Sequence, residues 1–353
     1  MSAAPDTTTN RFDDGRVPVS AEAIEHRLRE LWQMMHHEQA GKRSLVRLCL
    51  SNMVVITDER CRPEAERLAG ELTALQPSRV FLVVIDETLT DFSAQVRTAC
   101  NLSTGSDSAI CWEIIEMYCP EACEADLPGA LRSLLVGTVP VVTVDFRHFQ
   151  KSPAFDSIIL ELSDYYFVNA EIVPTGELRR HFLPLRWYRT LPVRELLSTL
   201  FARILESTPE RFPVEITVHA SSQPERIDVL LVGWFIHRLA TAGQVRAETD
   251  AIIIPHEKGD MHLIHRETPD ANGHLIGFTF GDGDTIAVVE TSTERGFEAV
   301  YAATYGDNEI TRSLADYPIG RYIIEAIRQP SEFHEYDAVR KVVMAGFRLP
   351  EEQ

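Results

Sequence analysis

The stretch RVFLVVI, residues 79–85, is an almost unbroken run of apolar side chains. Such a run is typical of a central strand that is covered on both faces of a sheet. A second apolar stretch at residues 48–56 precedes it, and a helix that begins near Pro63 lies between the two. This alternation of strand and helix predicts an α/β domain.

Further segments extend the domain toward the C-terminus. Residues 95–102 and 110–117 alternate between polar and apolar side chains, as antiparallel neighbours do, whereas residues 139–144 form another buried run. A helical pattern at residues 127–135 leads into this last run. The sequence therefore predicts a mixed sheet flanked by helices, in an N-terminal α/β domain at residues 41–175.

The chain before this domain has two parts. Residues 1–18 carry no periodic apolar pattern, so we expect a disordered leader there. Residues 19–40 have one narrow apolar stripe at helical spacing and are otherwise charged, which predicts an amphipathic helix that docks on another element. The stripe consists of Ile24, Leu28, Leu31 and Met35.

The C-terminal half, residues 176–353, has a different pattern. An amphipathic helix at residues 193–205 and a strand at residues 214–219 are followed by several short strands that lie close together. Asn272-Gly273 and Asp282-Gly283 are typical of the turns of antiparallel hairpins. This half is predicted to be an α+β domain with a largely antiparallel sheet and helices.

The charge of the chain restricts its partners. Lys and Arg number 34 against 53 Asp and Glu, which gives a formal charge of -19, so nucleic acids and anionic membranes would be repelled. No run of about 18 apolar residues could span a membrane, and the polar start of the chain lacks the pattern of a secretion signal. We expect a cytoplasmic protein that binds neither nucleic acid nor membranes.

Signals for cofactors and metals are absent or weak. Residues 57–63, between the first strand and its helix, contain no glycine, although a dinucleotide fold needs glycines there for close approach to the pyrophosphate. Cys119 and Cys123, with His36 and His37, offer possible metal ligands, but their spacing is poor and no second ligand pair follows. The sequence therefore predicts neither a cofactor nor a metal.

Catalytic motifs are also missing. No Gly-x-Ser-x-Gly elbow and no His-Glu-x-x-His helix occurs. His262 and His265 would point to opposite faces of a strand because their spacing is odd. From these observations we expect a protein that is not an enzyme.

All six cysteines lie within the first 123 residues. The default expectation for a chain of this length is buried, inert thiols. A regulatory disulfide between Cys119 and Cys123 is the alternative, because Pro120 would interrupt regular structure and leave those thiols accessible.

Several stretches, taken in order, resemble the glucose-6-phosphate dehydrogenase assembly protein family, OpcA. Each stretch alone is also what a buried strand or helix would show, and the resemblance lies in their order and spacing over about two thirds of the chain. They are RLCLSNMVVIT (47–57), PSRVFLVV (77–84), Gln95-Val96, ICWEIIEM (110–117), LPGALRSLLVGTVPVV (127–142), LPLRWYRTLPVRELLSTLF (183–201) and VLLVGWFIHRL (229–239).

The resemblance implies a non-enzymatic assembly factor or allosteric activator. Such a protein binds glucose-6-phosphate dehydrogenase and promotes its active oligomeric state at the entry of the oxidative pentose phosphate pathway. The resemblance further implies thioredoxin as a partner, through thioredoxin-linked redox control in some members.

Arginine and tryptophan dominate the energetics of many protein interfaces, and charged groups beside apolar strands need partners. On this basis a set of residues is predicted to bind the partner, although a structural role within the fold is the alternative for each. The set is Arg79, Glu113, Arg186, Trp187, Arg189 and Trp234.

A different function remains open beside this one. Arg179, Arg180, Arg186 and Arg189 form a local basic patch on an acidic protein, and guanidinium groups bind phosphate well. The alternative hypothesis is a sugar-phosphate-binding sensor or enzyme that uses the patch between residues 179 and 189.

Overall fold

The protein is described by a computed structural model, which defines most of the chain. The described residues are 8–12, 17–18, 20–39, 44–101, 108–148, 153–169, 181–208, 210–221, 227–239, 245–248, 251–292, 299–305 and 307–345.

The chain divides into two compact units. The first consists of Met1–Ala170, Gly176–Leu183 and Ile319–Arg328, and the rest of the chain forms the second. The predicted C-terminal domain at residues 176–353 would include two segments that belong to the first unit. The predicted fold class, an α/β unit followed by an α+β unit, is confirmed.

The first unit contains a 10-stranded mixed sheet. Its strands are β1 (Thr8–Phe12), β2 (Val17–Pro18), β3 (Ser44–Arg47), β4 (Asn52–Asp58), β5 (Arg79–Asp86), β6 (Ser93–Asn101), β7 (Ser108–Pro120), β8 (Val141–His148), β9 (Tyr165–Asn169) and β10 (His181–Pro184).

The second unit contains an 8-stranded sheet. Its strands are β11 (Pro213–His219), β12 (Arg246–Ala247), β13 (Ile252–Ile254), β14 (Met261–Arg266), β15 (His274–Phe280), β16 (Thr285–Ser292), β17 (Ala299–Tyr305) and β18 (Asn308–Ser313).

Helices α1 to α4 and α8 belong to the first unit, and α5, α6, α7 and α9 to the second. Short 3-10 helices also occur at Glu121–Asp126 and Leu314–Asp316. The α-helices are α1 (Ala21–Gln39), α2 (Arg62–Leu75), α3 (Leu127–Leu134), α4 (Pro153–Leu162), α5 (Leu185–Arg189), α6 (Leu191–Ser207), α7 (Asp228–Leu239), α8 (Ile319–Arg328) and α9 (Ser331–Met344).

The first sheet is doubly wound. Its order is β1-β6-β7-β5-β4-β8-β9-β10, and the pairs within β7-β5-β4-β8-β9 are all parallel. The chain begins this parallel part at β4, moves outward through β5 to β7, and then returns to place β8 on the other side of β4. The order therefore reverses between β4 and β8, and ligands in open α/β sheets bind at the carboxyl end of such a switch point.

The N-terminal segment differs from the disordered leader predicted for residues 1–18. Strand β1 pairs antiparallel with β6, from Thr8 opposite Asn101 to Phe12 opposite Arg97. An edge strand offers unpaired N–H and C=O groups to any extended segment, so this pairing requires no apolar pattern in the added strand. Composition alone therefore could not reveal β1.

The amphipathic helix predicted at residues 19–40 is present as α1, and its stripe is buried. Trp32 and Met35 pack against the pair Cys100 and Cys111, which form a disulfide. These cysteines lie directly opposite each other on the antiparallel strands β6 and β7. The expectation of thiols throughout is therefore wrong for this pair.

Replacing both Cys100 and Cys111 by alanine should lower the free energy of unfolding by about 2 kcal/mol, because the disulfide restricts the unfolded chain. Thermal unfolding with and without reductant measures the effect. Reductant should lower the melting temperature of the wild type and leave that of the double variant unchanged. A wild-type protein with the same melting temperature in both conditions would contradict the stabilising role.

The second sheet has the order β12-β13-β14-β11-β15-β16-β17-β18. Strands β11 and β14 are parallel, whereas the other described neighbours are antiparallel, which confirms the largely antiparallel sheet. Gly273 and Gly283 have φ angles of 76° and 87°, so both predicted turns use the left-handed region that favours glycine. Helices α6 and α7 cover this sheet through Phe201 and Phe235, which contact Phe278 edge to face.

Within the part of the chain that the structure describes, no helix is both long and apolar enough to cross a membrane.

Candidate functional site

Arg79 and Glu113, two of the predicted partner-binding residues, form a buried ion pair. They lie opposite each other at the start of β5 and on β7. The Arg79 Nε and Nη2 atoms both contact Glu113 Oε2, at 2.8 Å and 2.7 Å. Only 4% of Arg79 and 3% of Glu113 is exposed, so neither presents a surface to a partner.

The remaining polar atoms of this pair are also used inside the first unit. Arg79 Nη1 donates to Glu25 Oε1 at 2.7 Å and to the carbonyl oxygen of Leu134 at 2.8 Å. Trp32 Nε1 donates to Glu113 Oε1 at 2.7 Å, and Arg47 contacts the same oxygen. These contacts join α1, α3, β3, β5 and β7. They give Arg79 and Glu113 a structural role within the fold, which was the alternative to partner binding.

An Arg79→Met substitution should lower the free energy of unfolding by about 3 kcal/mol, because it leaves the buried Glu113 carboxylate without its main counter-ion. Chemical denaturation at neutral pH measures the loss. Arg60→Met removes the same charge from an exposed position and is the matched control, expected to have little effect. Equal stabilities of the two variants would show that the pair does not hold the unit together.

Trp187 and Trp234 are likewise occupied within the second unit. Trp187 is fully buried, and its Nε1 donates to Glu332 Oε2 at 3.0 Å. Trp234 Nε1 donates to Glu335 Oε1 at 3.2 Å. The Arg194 guanidinium lies 4.0 Å from the Trp187 ring centre and contacts both glutamates. These contacts attach α9 to α5, α6 and α7.

The basic patch of the alternative hypothesis is only partly visible. Arg186 and Arg189 on α5 are half-buried. Arg179 and Arg180 lie outside the described residues. Only half of the predicted patch, Arg186 and Arg189, therefore lies within the described residues.

The thiol of Cys119 is buried and not accessible, contrary to the effect expected of Pro120. Burial, followed by the nearby Cys123, Glu124 and Asp126, raises its pKa to about 12. Cys119 and Cys123 are both free thiols. A thiol with this pKa is almost entirely protonated at neutral pH, and so is a poor nucleophile.

Alkylation of the native protein should therefore leave Cys119 unmodified. At about pH 8 only roughly one Cys119 thiol in ten thousand is ionised, and the thiolate is the reactive form. Iodoacetamide treatment followed by peptide mass spectrometry should label the half-buried Cys49 and Cys123 well before Cys119. Early labelling of Cys119 would indicate an exposed, reactive thiol.

At the switch point of the first unit, β4 ends at Asp58 and α2 begins at Arg62. The Asp58 carboxylate accepts a hydrogen bond from the backbone N–H of Cys61 at 2.9 Å. Pro63 occupies the first turn of α2 and has no N–H to donate. The fold implies a dinucleotide here, but this glycine-free turn does not fit a pyrophosphate.

The end of β8, on the other side of the switch point, carries a buried ionic group. Arg147 binds Asp145 with two hydrogen bonds, from Nε at 3.1 Å and from Nη2 at 2.7 Å. It also contacts Glu124 on the 3-10 helix, and Tyr166 donates to Asp145 Oδ2 at 3.2 Å. Burial opposes the charge on Arg147, but these carboxylates raise its pKa further above the usual value.

The second unit contains a histidine paired with a buried carboxylate. His265 Nε2 lies 2.8 Å from Asp228 Oδ2. The Asp228 side chain has no exposed surface, whereas 15% of the His265 side chain is exposed. Because a carboxylate only accepts hydrogen bonds, we assign the proton of this contact to Nε2.

The pair lies at a particular place in the second sheet. His265 is near the end of β14 and opposite Val218 on β11, its parallel neighbour. Asp228 is in the first turn of α7, the helix that follows β11. The carboxyl ends of parallel strands, next to the start of a helix, form a common position for ligand sites in α/β structures.

Ser221 provides a further polar group at the same end of β11. Its hydroxyl contacts both carboxylate oxygens of Glu290, at 3.0 Å and 3.2 Å. Both side chains are buried. A histidine, a hydroxyl and two carboxylates thus lie at the end of the parallel pair β11 and β14.

Sequence reasoning identified only part of this site. His262 and His265 lie on opposite faces of β14, as predicted: His262 is exposed and His265 turns toward α7. Asp228, 37 residues away, was missed. Its one local signal is a carboxylate at the start of a strongly apolar helix, and this is also a common helix-capping position.

No group of three or more His, Cys, Asp or Glu side chains among the described residues is arranged so that it could hold a metal ion.

Comparison with known sequences finds no matching protein family and no matching curated protein. Similar solved structures include the candidate oxidoreductase yvaA from Bacillus subtilis, 10% identical, where the match covers 86% of this chain and 100% of that chain with a TM-score of 0.40. A candidate oxidoreductase from Klebsiella pneumoniae is 10% identical over 84% and 93%, with a TM-score of 0.35. A probable dehydrogenase from Thermotoga maritima is 9% identical over 84% and 98%, with a TM-score of 0.33.

These findings correct the resemblance to the OpcA family. No family is matched, and the similar structures are named as oxidoreductases or dehydrogenases, not as assembly proteins. The same findings contradict two further expectations. One is that the chain is a non-enzymatic activator of glucose-6-phosphate dehydrogenase, and the other is that it is not an enzyme. At these identities and TM-scores, the likeness itself carries no argument about the activity of this chain.

Proposed function

We propose that the protein is an enzyme that transfers a proton to or from a small molecule at His265. The observation that carries this proposal is the 2.8 Å contact between His265 Nε2 and the fully buried Asp228 carboxylate. A buried carboxylate fixes the orientation of the ring and stabilises the imidazolium that forms when the ring accepts a proton. Histidine is also the side chain that most often serves as a general acid or base.

The proton transfer uses both nitrogens of the ring. With Nε2 bound to Asp228, Nδ1 is the atom that exchanges a proton with a substrate hydroxyl or an acidic C–H group. The positive charge that develops on the ring lies next to the Asp228 carboxylate, which lowers the cost of forming it. Because Asp228 holds the ring at Nε2, the proton returns to the substrate from Nδ1.

The charges near His265 restrict the substrate. Asp228 and Glu290 are both buried at this end of the sheet, so two carboxylates lie there together with His265. A phosphorylated or carboxylated molecule would be repelled here. We therefore propose a neutral substrate with hydroxyl or carbonyl groups.

Location in the cytoplasm is part of the proposal. Four of the cysteines, Cys49, Cys61, Cys119 and Cys123, are free thiols, as is usual in a reducing compartment, and the buried disulfide between Cys100 and Cys111 is the exception. The charge of -19 supports a small-molecule partner and not a nucleic acid.

His265→Gln should reduce turnover at least about 100-fold, because general acid–base catalysis typically contributes that much. The assay incubates the protein in D2O with a panel of neutral sugars, polyols and hydroxyketones, and NMR follows C–H exchange and product formation. His262→Gln, on the exposed face of the same strand, is the matched control and should retain full activity.

A purely structural role of the pair predicts a different result. The His265→Gln variant would then be less stable but as active as the His262→Gln variant when both are folded, as checked by thermal unfolding. Equal activity of the two variants, or no conversion of any compound by the folded wild type, would count against the proposal.

A further inference from the structure

A doubly wound sheet binds a dinucleotide only if its switch point meets three conditions. The turn after the first parallel strand must let the pyrophosphate approach the backbone, the following helix must offer free N–H groups, and the carboxyl ends of the strands must be uncovered. In this chain the strands concerned are β4 and β8, and the helix is α2.

The start of α2 is already occupied by an anion from the chain itself. Asp58 accepts from the Cys61 N–H, which is one of the groups that a phosphate would use. Burial and then the charges of Asp58 and Glu64 raise the pKa of the Cys61 thiol, and the charge of Arg60 opposes them only in part. Arg62, the first residue of α2, is bound to Glu66 at 2.8 Å and to Glu59 at 3.4 Å.

The carboxyl ends of the strands are covered as well. The 3-10 helix Glu121–Asp126 follows β7 and contacts β5. Its Glu124 forms an ion pair with Arg147 at the end of β8, although β5 and β4 lie between β7 and β8. The ion pair therefore lies across the ends of these strands, and Asp145 holds Arg147 in place from the other side.

One part of a dinucleotide site is retained. Asp86 ends β5, where an acidic residue contacts the adenosine ribose in such folds. Its carboxylate accepts from the Thr88 N–H at 2.7 Å, and this hydrogen bond lowers its pKa. A ribose contact alone does not compensate for repulsion of the doubly charged pyrophosphate at the helix terminus.

We infer that the switch point of the first unit is closed to nicotinamide and other dinucleotides, with the Asp58 carboxylate in the place of the pyrophosphate and the Glu124–Arg147 ion pair across the strand ends. The closure is independent of the function proposed for His265. Where both hold, the proton transfer at His265 belongs to a reaction without hydride transfer, such as isomerisation, epimerisation or elimination.

Titration of the full-length protein with NADH and NADPH tests the closure directly. Nucleotide fluorescence should show no saturable change up to about 1 mM, which is the upper end of typical enzyme affinities. Saturable binding below that concentration would overturn the inference. The D2O assay of His265 contains no nucleotide. A negative result there would therefore count against the proposed function alone, and nucleotide binding in the titration would count against the closure alone.

A second measurement tests the part assigned to Asp58. Asp58→Ser keeps a side-chain oxygen that can accept from the Cys61 N–H and removes the negative charge, so inorganic pyrophosphate should bind the variant at least about fivefold more tightly than it binds the wild type. Glu87→Ser removes one charge from an exposed position beside Asp86 and is the control, expected to show no gain. Isothermal titration calorimetry gives both affinities. No gain for Asp58→Ser, or the same gain for Glu87→Ser, would overturn the role given to Asp58.

Discussion

The first unit depends on the buried ion pair between Arg79 and Glu113. A guanidinium taken out of water is costly unless its charge is balanced and its N–H groups are bound. Here Glu113, Glu25 and a backbone carbonyl meet that requirement, and each comes from a different element. The fold can therefore bury the amino end of β5 only when α1, α3 and β7 are all in place. The charge of Arg79 is therefore neutralised only when the unit is assembled.

The same arrangement recurs in both units. Arg147 lies between Asp145 and Glu124, and Arg194 lies between Glu332 and Glu335. In each case a buried arginine is matched by two carboxylates, and at least one of them comes from a covering segment. Part of the acidic excess of the chain is thus internal and holds helices in place. For Arg79, Glu113, Trp187 and Trp234, the contacts within the fold are the structural role that was the alternative to partner binding.

The sequence predicted the elements whose signals are local. RVFLVVI became β5 because a strand covered on both faces needs apolar side chains at every position, and the glycine turns followed from backbone sterics. The disulfide could also have been found, because a hairpin that pairs residues 95–102 with 110–117 places Cys100 near Cys111. The contact between Asp228 and His265 has no such signal. It depends on a parallel pairing of β11 with β14 that no turn or periodicity specifies.

Both units have a place where parallel strands end beside the start of a helix, at α2 in the first and at α7 in the second, and the chemistry of these two places differs. In the first, Asp58 and the Glu124–Arg147 pair satisfy the backbone and side-chain groups that a ligand would need. In the second, a partly exposed imidazole is held by a carboxylate that has no contact with solvent. A group that is fixed and partly exposed can exchange protons with a ligand, whereas a buried group can only hold the fold. The function that we propose therefore belongs to the second unit, although the first has the strand order more often linked with catalysis.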